Sequence, residues 1–301
     1  MRITVPTEDL RTRLADAAEV VVWDLASPAP WPAIDVVVPP YMGSLDLLAA
    51  LDGVAVRLVQ SQSIGYDGVL ERLPEGVAFA NAAGVHEGPA AEIGMALVLA
   101  AQRDLPRFVR QQDAQEWRGG FTRGLAGLRV VVVGAGGLGS AMVDRLLPFD
   151  ARPVRVARSR RTDSRGEVAA LDELPELLSG AEAVVICLPL DDSTHHLVDA
   201  GFLARMPDGA ILVNIGRGGI VDTDALLGEL GTGRLRAGLD VTDPEPLPAG
   251  HPLWSAPGVV ISPHVGGQVR TMPDAVEALV RRQIAALAAG ETPSNLVAAS
   301  A

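Results

Sequence analysis

Lysine is missing from this chain: all 25 of its basic residues are arginine. Its absence excludes every chemistry that needs a lysine amine, such as a Schiff base, attachment of pyridoxal phosphate or the lysine of a P-loop. A GC-rich genome, which encodes most of its cations as arginine, is the simplest explanation. Any functional cation is therefore an arginine, whose planar guanidinium suits carboxylates and phosphates.

Basic residues are outnumbered by acidic ones, and there is only one cysteine. The formal net charge is −12, which argues against a nucleic-acid partner because phosphate binding needs a basic face. The single cysteine, Cys187, excludes a disulfide framework and a cysteine metal cluster, and it suits a reducing compartment. The N-terminus has no apolar signal core, and no apolar run reaches the roughly 18 residues of a membrane span. We therefore expect a soluble cytoplasmic protein with no metal, nucleic-acid or membrane partner.

What the chain does contain is a series of short Val- and Ile-rich runs between longer helix-like stretches, a pattern typical of parallel α/β units. The length of 301 residues predicts roughly two domains. One helix is predicted over residues 89–102, continuing past Pro106, and a last one over 273–289, ended by Gly290. The predicted strands are residues 19–23, 34–38, 55–59, 130–133, 154–157, 183–188, 210–214, 237–241 and 259–262.

A glycine-rich turn follows the predicted strand 130–133 directly and opens the next predicted helix. In this context the first glycine permits the tight turn, the second lets the backbone approach a pyrophosphate, and the third allows close packing of helix and strand. The helix N-terminus then offers N–H groups and a positive partial charge to the phosphates. The turn predicts a dinucleotide site formed by Gly134, Gly136, Gly137, Leu138 and Gly139.

The end of the next strand normally shows which coenzyme is used. NAD-specific proteins carry an Asp or Glu there, which binds the ribose 2′-hydroxyl. This chain instead has Arg158, Ser159 and Arg160, and an arginine can pair with a 2′-phosphate through charge-assisted hydrogen bonds. We therefore expect NADP to be preferred over NAD, with an ordinary exposed basic loop as the alternative.

Three later strands are each followed by a polar residue, namely Arg217, Glu245 and His264. The carboxyl ends of the strands in a doubly wound sheet line the ligand crevice, so these three side chains can converge near a nicotinamide. Together they would form a reducing site: the histidine donates a proton to a carbonyl oxygen, the glutamate keeps the imidazole protonated and oriented, and the arginine binds a carboxylate. Neither lysine nor a metal is needed.

These motifs resemble the D-isomer-specific 2-hydroxyacid dehydrogenase family. The resemblance rests on the glycine-rich turn 134–139, NIGRGGIVD at 214–222, LDVTDPEPLP at 239–248 and SPHVGG at 262–267. It extends to SIGYDGV at 63–69, similar to the family's substrate loop, and to NAAGVHEGPAAEIGMAL at 81–97, similar to the start of its interdomain helix. Nearly the whole chain is spanned, in matching order and spacing.

The resemblance implies an α/β fold of two doubly wound parallel-sheet domains. A Rossmann coenzyme domain, residues 93–272, would be inserted into a flavodoxin-like substrate domain, residues 1–92 plus 273–301. Arg217 would bind the substrate, His264 would be the acid/base and Glu245 would be its partner acid. The enzyme would be a homodimer. Ile64 and Gly65 would offer backbone N–H groups to the substrate carboxylate. The implied further coenzyme contacts are Leu188, Pro189, Thr194, Ile215, Gly216, Asp240, Gly266 and Gly267.

Within this family the chain resembles NADPH-linked reductases of a small 2-oxo acid such as glyoxylate or hydroxypyruvate. A phosphoglycerate dehydrogenase is one alternative, although a phosphorylated substrate would want further cations, for which Arg57 and Arg72 are the few candidates. A non-catalytic, coenzyme-sensing binding protein of the same fold is the other, because fold alone does not prove turnover.

The chain also departs from the family pattern at two places. Thr242 and Asp243 stand where an aromatic residue and Glu are common, which would alter the pocket wall. His86 and Glu87 stand where many relatives carry a small amide-bearing segment. For His86 two interpretations stay open, a side chain that faces the substrate and a loop histidine on the surface.

Overall fold

A computed structural model of the protein describes residues 1–299. Strands and helices alternate along most of this length. The strands are β1 Arg2–Val5, β2 Glu19–Val22, β3 Ala33–Val37, β4 Ala55–Gln60, β5 Ala78–Ala80, β6 Arg129–Val133, β7 Arg152–Ala157, β8 Arg161–Asp163, β9 Gly166–Ala170, β10 Ala183–Ile186, β11 Ile211–Asn214, β12 Arg236–Leu239, β13 Val259–Ile261 and β14 Leu296–Ala298. The helices are α1 Glu8–Leu14, α2 Glu87–Gln102, α3 Leu105–Asp113, α4 Gly137–Leu146, α5 Leu174–Leu178, α6 Ala200–Arg205, α7 Thr223–Thr232 and α8 Met272–Ala289.

The chain divides into two compact units. The first contains Met1–His86 and the described residues from Val269 onward, and the second contains Glu87–Gln268. These boundaries lie before the predicted ones at 92 and 272. The difference at the first boundary follows from helix α2, which begins at Glu87 and buries Ala91 and Met95 in the core of the second unit, so the whole helix belongs there.

The first unit is built on a six-stranded sheet in the order β14-β5-β4-β3-β1-β2. Five of these strands are parallel, and β14 pairs antiparallel with β5 at one edge. Sequence patterning missed β1, β5 and β14, because three or four residues are too few to show a period. Helix α8 packs Leu279 and Val280 against this sheet and is ended by Gly290 at φ 71°, as predicted.

The second unit is built on an eight-stranded sheet in the order β13-β12-β11-β10-β6-β7-β9-β8. All of its strands are parallel except β8, which forms an antiparallel hairpin with β9. Val131 of β6 packs into the core on one face and Val132 into the core on the other, and both are fully buried. Burial on both faces explains why these strands are continuous apolar runs. The strand order changes direction beside β6, where ligands bind in doubly wound sheets.

One helix prediction needs correction. The helix predicted to run past Pro106 is interrupted, because Asp104 adopts a left-handed conformation with φ 56°. Helix α3 then starts afresh at Leu105, with Pro106 in its first turn, where the missing N–H costs nothing. Within residues 1–299, no helix has both the length and the apolar character needed to cross a bilayer.

Candidate active site

Two glycines of the turn between β6 and α4 leave no room for a side chain. Gly134 has φ 113°, and a Cβ there would lie 2.7 Å from the carbonyl oxygen of Cys187. A Cβ on Gly139 would lie 1.7 Å from the carbonyl oxygen of Gly134. The first and third glycines are therefore required by close backbone contacts, as the sequence pattern predicted.

The N-terminus of α4 is shaped to receive an anion. Its N-cap is Gly136, and no side chain caps the helix. The N–H groups of the first turn, at Gly137, Leu138 and Gly139, therefore have no side-chain acceptor at the positive end of the helix. This cradle fits the pyrophosphate of a dinucleotide. Residues 1–299 contain no group of three His, Cys, Asp or Glu side chains that could hold a metal ion.

The arginines that follow β7 differ in their partners. Arg160 forms an ion pair with Glu173, and Arg161 donates a hydrogen bond to the carbonyl oxygen of Ala135 over 3.3 Å. Arg158 is exposed and forms neither an ion pair nor a hydrogen bond within the part of the chain that the structure describes. Of the predicted coenzyme contacts in this loop, Arg158 is thus the available guanidinium, with exposed Ser159 beside it.

A buried arginine supports this loop from behind, and sequence analysis missed it. Arg155 of β7 is 4% exposed. Its two terminal nitrogens donate to the carboxylate of Asp163 over 3.0 and 2.7 Å, and one also donates to the carbonyl oxygen of Gly166. Hydrogen bonds from Arg155 and from the backbone of Arg165 lower the pKa of Asp163 to about 2. The ion pair ties the β8–β9 hairpin to the edge of the sheet.

The segment after β10 holds three predicted coenzyme contacts, Leu188, Pro189 and Thr194. The hydroxyl of buried Thr194 donates to the carbonyl oxygen of Pro189 over 2.8 Å and accepts from the backbone N–H of Asp191. The Thr194 side chain therefore stabilises the loop that contains it. The carbonyl oxygen of Leu188 lies 2.6 Å from where a Cβ on Gly216 would be, so a side chain at residue 216 has no room.

Arg217 is held by an asparagine at the end of β11. Asn214 is fully buried, and its amide donates to the carbonyl oxygen of Arg217 over 2.8 Å while accepting from the N–H of Gly216 over 3.0 Å. The Arg217 guanidinium donates to the carbonyl oxygen of Gly216. Neighbouring Ile215 is buried in the core beneath the sheet edge. Asn214 was not singled out from the sequence, although a polar residue ending a buried strand was its signal.

A close backbone approach joins the Arg217 loop to the loop that carries Glu245. A Cβ on Gly218 would lie 1.9 Å from the carbonyl oxygen of Thr242. Only glycine allows the two loops to touch at this point. The hydroxyl of Thr242 donates over 2.9 Å to the carbonyl oxygen of Pro244, the residue directly before Glu245.

Asp240, which directly follows β12, organises the turn that carries the histidine. Asp240 is 4% exposed, and its carboxylate accepts from the hydroxyl of Ser262 at 2.6 Å and from the N–H groups of Val265 and Gly266 at 3.1 and 2.9 Å. The main-chain oxygen of Asp240 accepts from the N–H of His264 at 2.7 Å. The predicted contact of Asp240 with the coenzyme, like those of Gly266 and Gly267, stays a prediction.

Glu245 and His264 are in direct contact. Nδ1 of His264 lies 2.5 Å from Oε1 of Glu245, and His264 adopts a left-handed conformation with φ 51°. Burial opposes ionisation of Glu245, but the hydrogen bond and the charge of His264, followed by the charge of Arg217, hold the pKa of this carboxyl below its usual value. The structure thus brings the three predicted catalytic residues into one electrostatic group.

The first unit contains the remaining predicted residues. Ile64 and Gly65 lie in the loop after β4, where Asn81 donates to the carbonyl oxygen of Ile64 over 2.9 Å. The alternative of a surface position for His86 is wrong: it is 6% exposed. Its Nε2 lies 2.5 Å from the carbonyl oxygen of Gln62, and its ring stacks on Tyr41.

Comparison with known proteins places the chain in a family. Residues 95–266 match the family described as D-isomer specific 2-hydroxyacid dehydrogenase, NAD binding domain. The chain is 31% identical to the glyoxylate reductase/hydroxypyruvate reductase of Homo sapiens, over 97% of this chain and 95% of that protein. The chain belongs to the D-isomer-specific 2-hydroxyacid dehydrogenase family. The sequence-based identification of the family is confirmed.

Solved structures of the same fold agree along the whole length of this dehydrogenase. A D-isomer specific 2-hydroxyacid dehydrogenase from Xanthobacter autotrophicus Py2, in complex with NADPH and MES, superimposes with a TM-score of 0.84 at 28% identity, covering 99% of this chain and 97% of that one. An NADPH-dependent glyoxylate/hydroxypyruvate reductase from Sinorhizobium meliloti, in complex with NADP and sulfate, gives 0.83 at 26% identity, covering 98% and 97%. The two-domain α/β architecture is confirmed.

Membership establishes two properties of this dehydrogenase: it is an oxidoreductase that acts on the CH–OH group of its donor, and its coenzyme is a nicotinamide dinucleotide. The matched residues 95–266 lie in the second unit. The α4 cradle described above is the part of that unit whose geometry fits the coenzyme pyrophosphate.

Proposed function

We propose that this dehydrogenase reduces a small 2-oxo acid, such as glyoxylate or hydroxypyruvate, and prefers NADPH. The observation that carries the proposal is the contact between His264 and Glu245, with the charge of Arg217 close enough to lower the pKa of the same carboxyl. An acid/base group with an oriented partner and an adjacent guanidinium is what carbonyl reduction beside a carboxylate requires.

Each of the three side chains has its own task in the proposed reaction. Arg217 binds the substrate carboxylate and polarises the neighbouring carbonyl. His264 keeps a proton on Nε2 and gives it to the oxygen as negative charge develops there, while Glu245 accepts from Nδ1 and stabilises the imidazolium. The bound coenzyme supplies the hydride. In the oxidative direction His264 takes the proton back.

The first unit favours an unphosphorylated substrate over a phosphoglycerate. The two cations considered for a phosphate are engaged elsewhere, Arg57 with Asp35 at 3.0 Å and Arg72 with Asp46 at 2.7 Å. The backbone N–H groups of Ile64 and Gly65 donate to no acceptor among residues 1–299. Adjacent N–H groups of this kind suit one carboxylate, and we keep them as the proposed substrate contact of this unit.

The coenzyme preference is supported by Arg158. It is the exposed guanidinium of its loop that has no partner within the described residues, and a 2′-phosphate would provide one. The reductase from Sinorhizobium meliloti, which is similar to this chain, is itself NADPH-dependent.

The test is a panel of 2-oxo acids, followed by the absorbance of the reduced coenzyme, with NADPH and NADH in parallel. We expect the highest kcat/KM for glyoxylate or hydroxypyruvate with NADPH, and much lower values for 3-phosphohydroxypyruvate. If no acid is turned over while NADPH still binds, the chain is a coenzyme-sensing binding protein instead.

We also propose that the enzyme is a homodimer. Large apolar side chains are exposed on α3 and the segment that follows it: Leu105, Val109, Trp117 and Phe121. Trp117 and Phe121 are fully exposed, and large apolar side chains left in solvent favour an interaction surface in this segment. Light scattering should give a dimer mass for the native chain and a monomer mass for the double variant Trp117→Ser/Phe121→Ser. The control is Met42→Ser, which removes an exposed apolar side chain of the first unit. A native monomer would contradict the proposal.

A further inference from the structure

Helix α2 borders the coenzyme region of the second unit at two points of its first turn. A Cβ on Gly266, beside the histidine turn, would lie 3.3 Å from Cα of Ala90. A Cβ on Gly137, at the start of α4, would lie 2.9 Å from both Cγ and Oε1 of Glu87. One helical turn thus runs from the histidine end of the site to its phosphate end.

The second contact puts a carboxylate where an anion has to bind. Gly137 is the first residue of α4 and contributes one of the N–H groups of the phosphate cradle. Because residue 137 has no side chain, the space that one would occupy is taken by Glu87. The fixed negative charge of Glu87 and the double negative charge of a pyrophosphate therefore share the positive end of one helix.

We propose that Glu87 tunes the affinity for the coenzyme: its carboxylate weakens coenzyme binding and speeds coenzyme release. Like charges at the same helix terminus repel each other, so the Glu87 carboxylate raises the free energy of the coenzyme-bound state. In the coenzyme-free chain the same carboxylate favours α4, because a negative charge stabilises a helix N-terminus. The inference rests on coenzyme binding at α4 and not on the identity of the substrate.

These two effects have opposite signs, and this separates the proposal from a purely structural role. A structural glutamate would, when neutralised, lower both stability and coenzyme affinity. Glu87→Gln keeps the size of the side chain and removes its charge. We expect a slightly lower Tm of the coenzyme-free protein together with tighter binding of NADPH.

The measurement is a fluorescence or calorimetric titration of the full chain with NADPH, without any 2-oxo acid. We expect Glu87→Gln to lower Kd by roughly threefold to tenfold, to slow dissociation in stopped flow, and to differ less from the native chain at high salt. The control is Glu92→Gln on the same helix, whose carboxylate pairs with Arg145 over 3.2 Å. It carries the same change of net charge and should leave Kd unchanged.

Two results would overturn the proposal: an unchanged or higher Kd in folded Glu87→Gln, or equal tightening in Glu92→Gln.

A second pair of variants checks the contact itself. Gly137→Ala introduces a methyl group at 2.9 Å from Glu87 and should lower Tm more in the native background than in Glu87→Ala. An equal loss in both backgrounds would also refute the proposal. Because neither assay contains substrate, failure here leaves the proposed 2-oxo acid reduction untouched.

Discussion

Nδ1 of His264 lies 2.5 Å from Oε1 of Glu245, although the two residues follow different strands of the sheet. The contact engages Nδ1 with the carboxylate. Nε2 forms no hydrogen bond within residues 1–299, so it is the ring nitrogen available for the proposed proton transfer. The left-handed backbone of His264 is an observed departure from ordinary geometry at the proposed reaction centre.

Replacement of His264 by alanine tests its role as the proton donor. We expect His264→Ala to lower kcat by about a hundredfold or more, as for the loss of a general acid. The Kd for NADPH should change little, because the phosphate cradle lies at α4. Steady-state kinetics and a coenzyme titration measure the two quantities. Full turnover in this variant would exclude His264 as the acid.

The pH dependence should follow Glu245. The pKa of Glu245 lies below its usual value. Burial raises this pKa, but the contact with His264 lowers it, and the net shift is downward. A lowered folded-state pKa means that the carboxylate contributes stability above the unfolded pKa and loses it as pH falls through the folded one. We expect kcat/KM to fall on the acid side over that same range. In Glu245→Gln this acid limb should disappear, and the rate should be low throughout. A normal acid limb in the variant would assign it to another group.

Arg158 should determine the choice of coenzyme. Arg158→Ala removes the guanidinium proposed to pair with the 2′-phosphate, and we expect KM for NADPH to rise by about 10–100-fold. KM for NADH should stay nearly constant, because NADH has no 2′-phosphate. Arg160→Ala is the matched control, since Arg160 is already paired with Glu173. Equal losses for both coenzymes would show that Arg158 acts only through the fold of its loop.

Much of this arrangement could be predicted from sequence because it depends on local chemistry. Gly134 and Gly139 of the β6–α4 turn follow from backbone contacts that admit no side chain. The ends of buried parallel strands are visible as apolar runs that stop near a polar residue, and this pattern is enough to single out Arg217, Glu245 and His264. The two antiparallel edge strands were missed, since three residues of β8 or β14 show no period.

The supporting residues were harder to predict because their partners are distant in sequence or set by the folded loops. Asp240 accepts from N–H groups of Val265 and Gly266, about 25 residues further along the chain, and nothing local in the sequence indicates this pairing. The burial of His86 depends on stacking with Tyr41, which lies in a distant part of the chain. Such contacts follow from tertiary packing and not from propensity.

The ion pair between Arg155 and Asp163 should support the coenzyme loop. Asp163→Asn leaves buried Arg155 without its carboxylate, so we expect a lower Tm and a weaker affinity for NADPH. The pKa of Asp163, lowered to about 2, means that the native chain keeps this contribution above the ordinary aspartate range and loses it as pH falls towards that value. The difference in Tm should therefore shrink in acid.

Asp144→Asn is the control, because Asp144 pairs with Arg165 in an exposed ion pair. A gap in Tm that is independent of pH would contradict the ion-pair explanation.

Gly218 should be essential for bringing the Arg217 loop against the Glu245 loop. Gly218→Ala places a methyl group 1.9 Å from the carbonyl oxygen of Thr242, and rigid backbone must shift to admit it. We expect a loss of about 1–3 kcal/mol of unfolding free energy in urea and a larger relative fall in kcat, because the displaced loops carry Arg217 and Glu245, two of the proposed catalytic residues. The control is Gly219→Ala, whose methyl group would come closest to the side chain of Leu190, at 3.3 Å, a contact that a flexible side chain can relieve. If Gly218→Ala retains native kcat, the backbone contact does not position the catalytic residues, and the link between this glycine and the reaction fails.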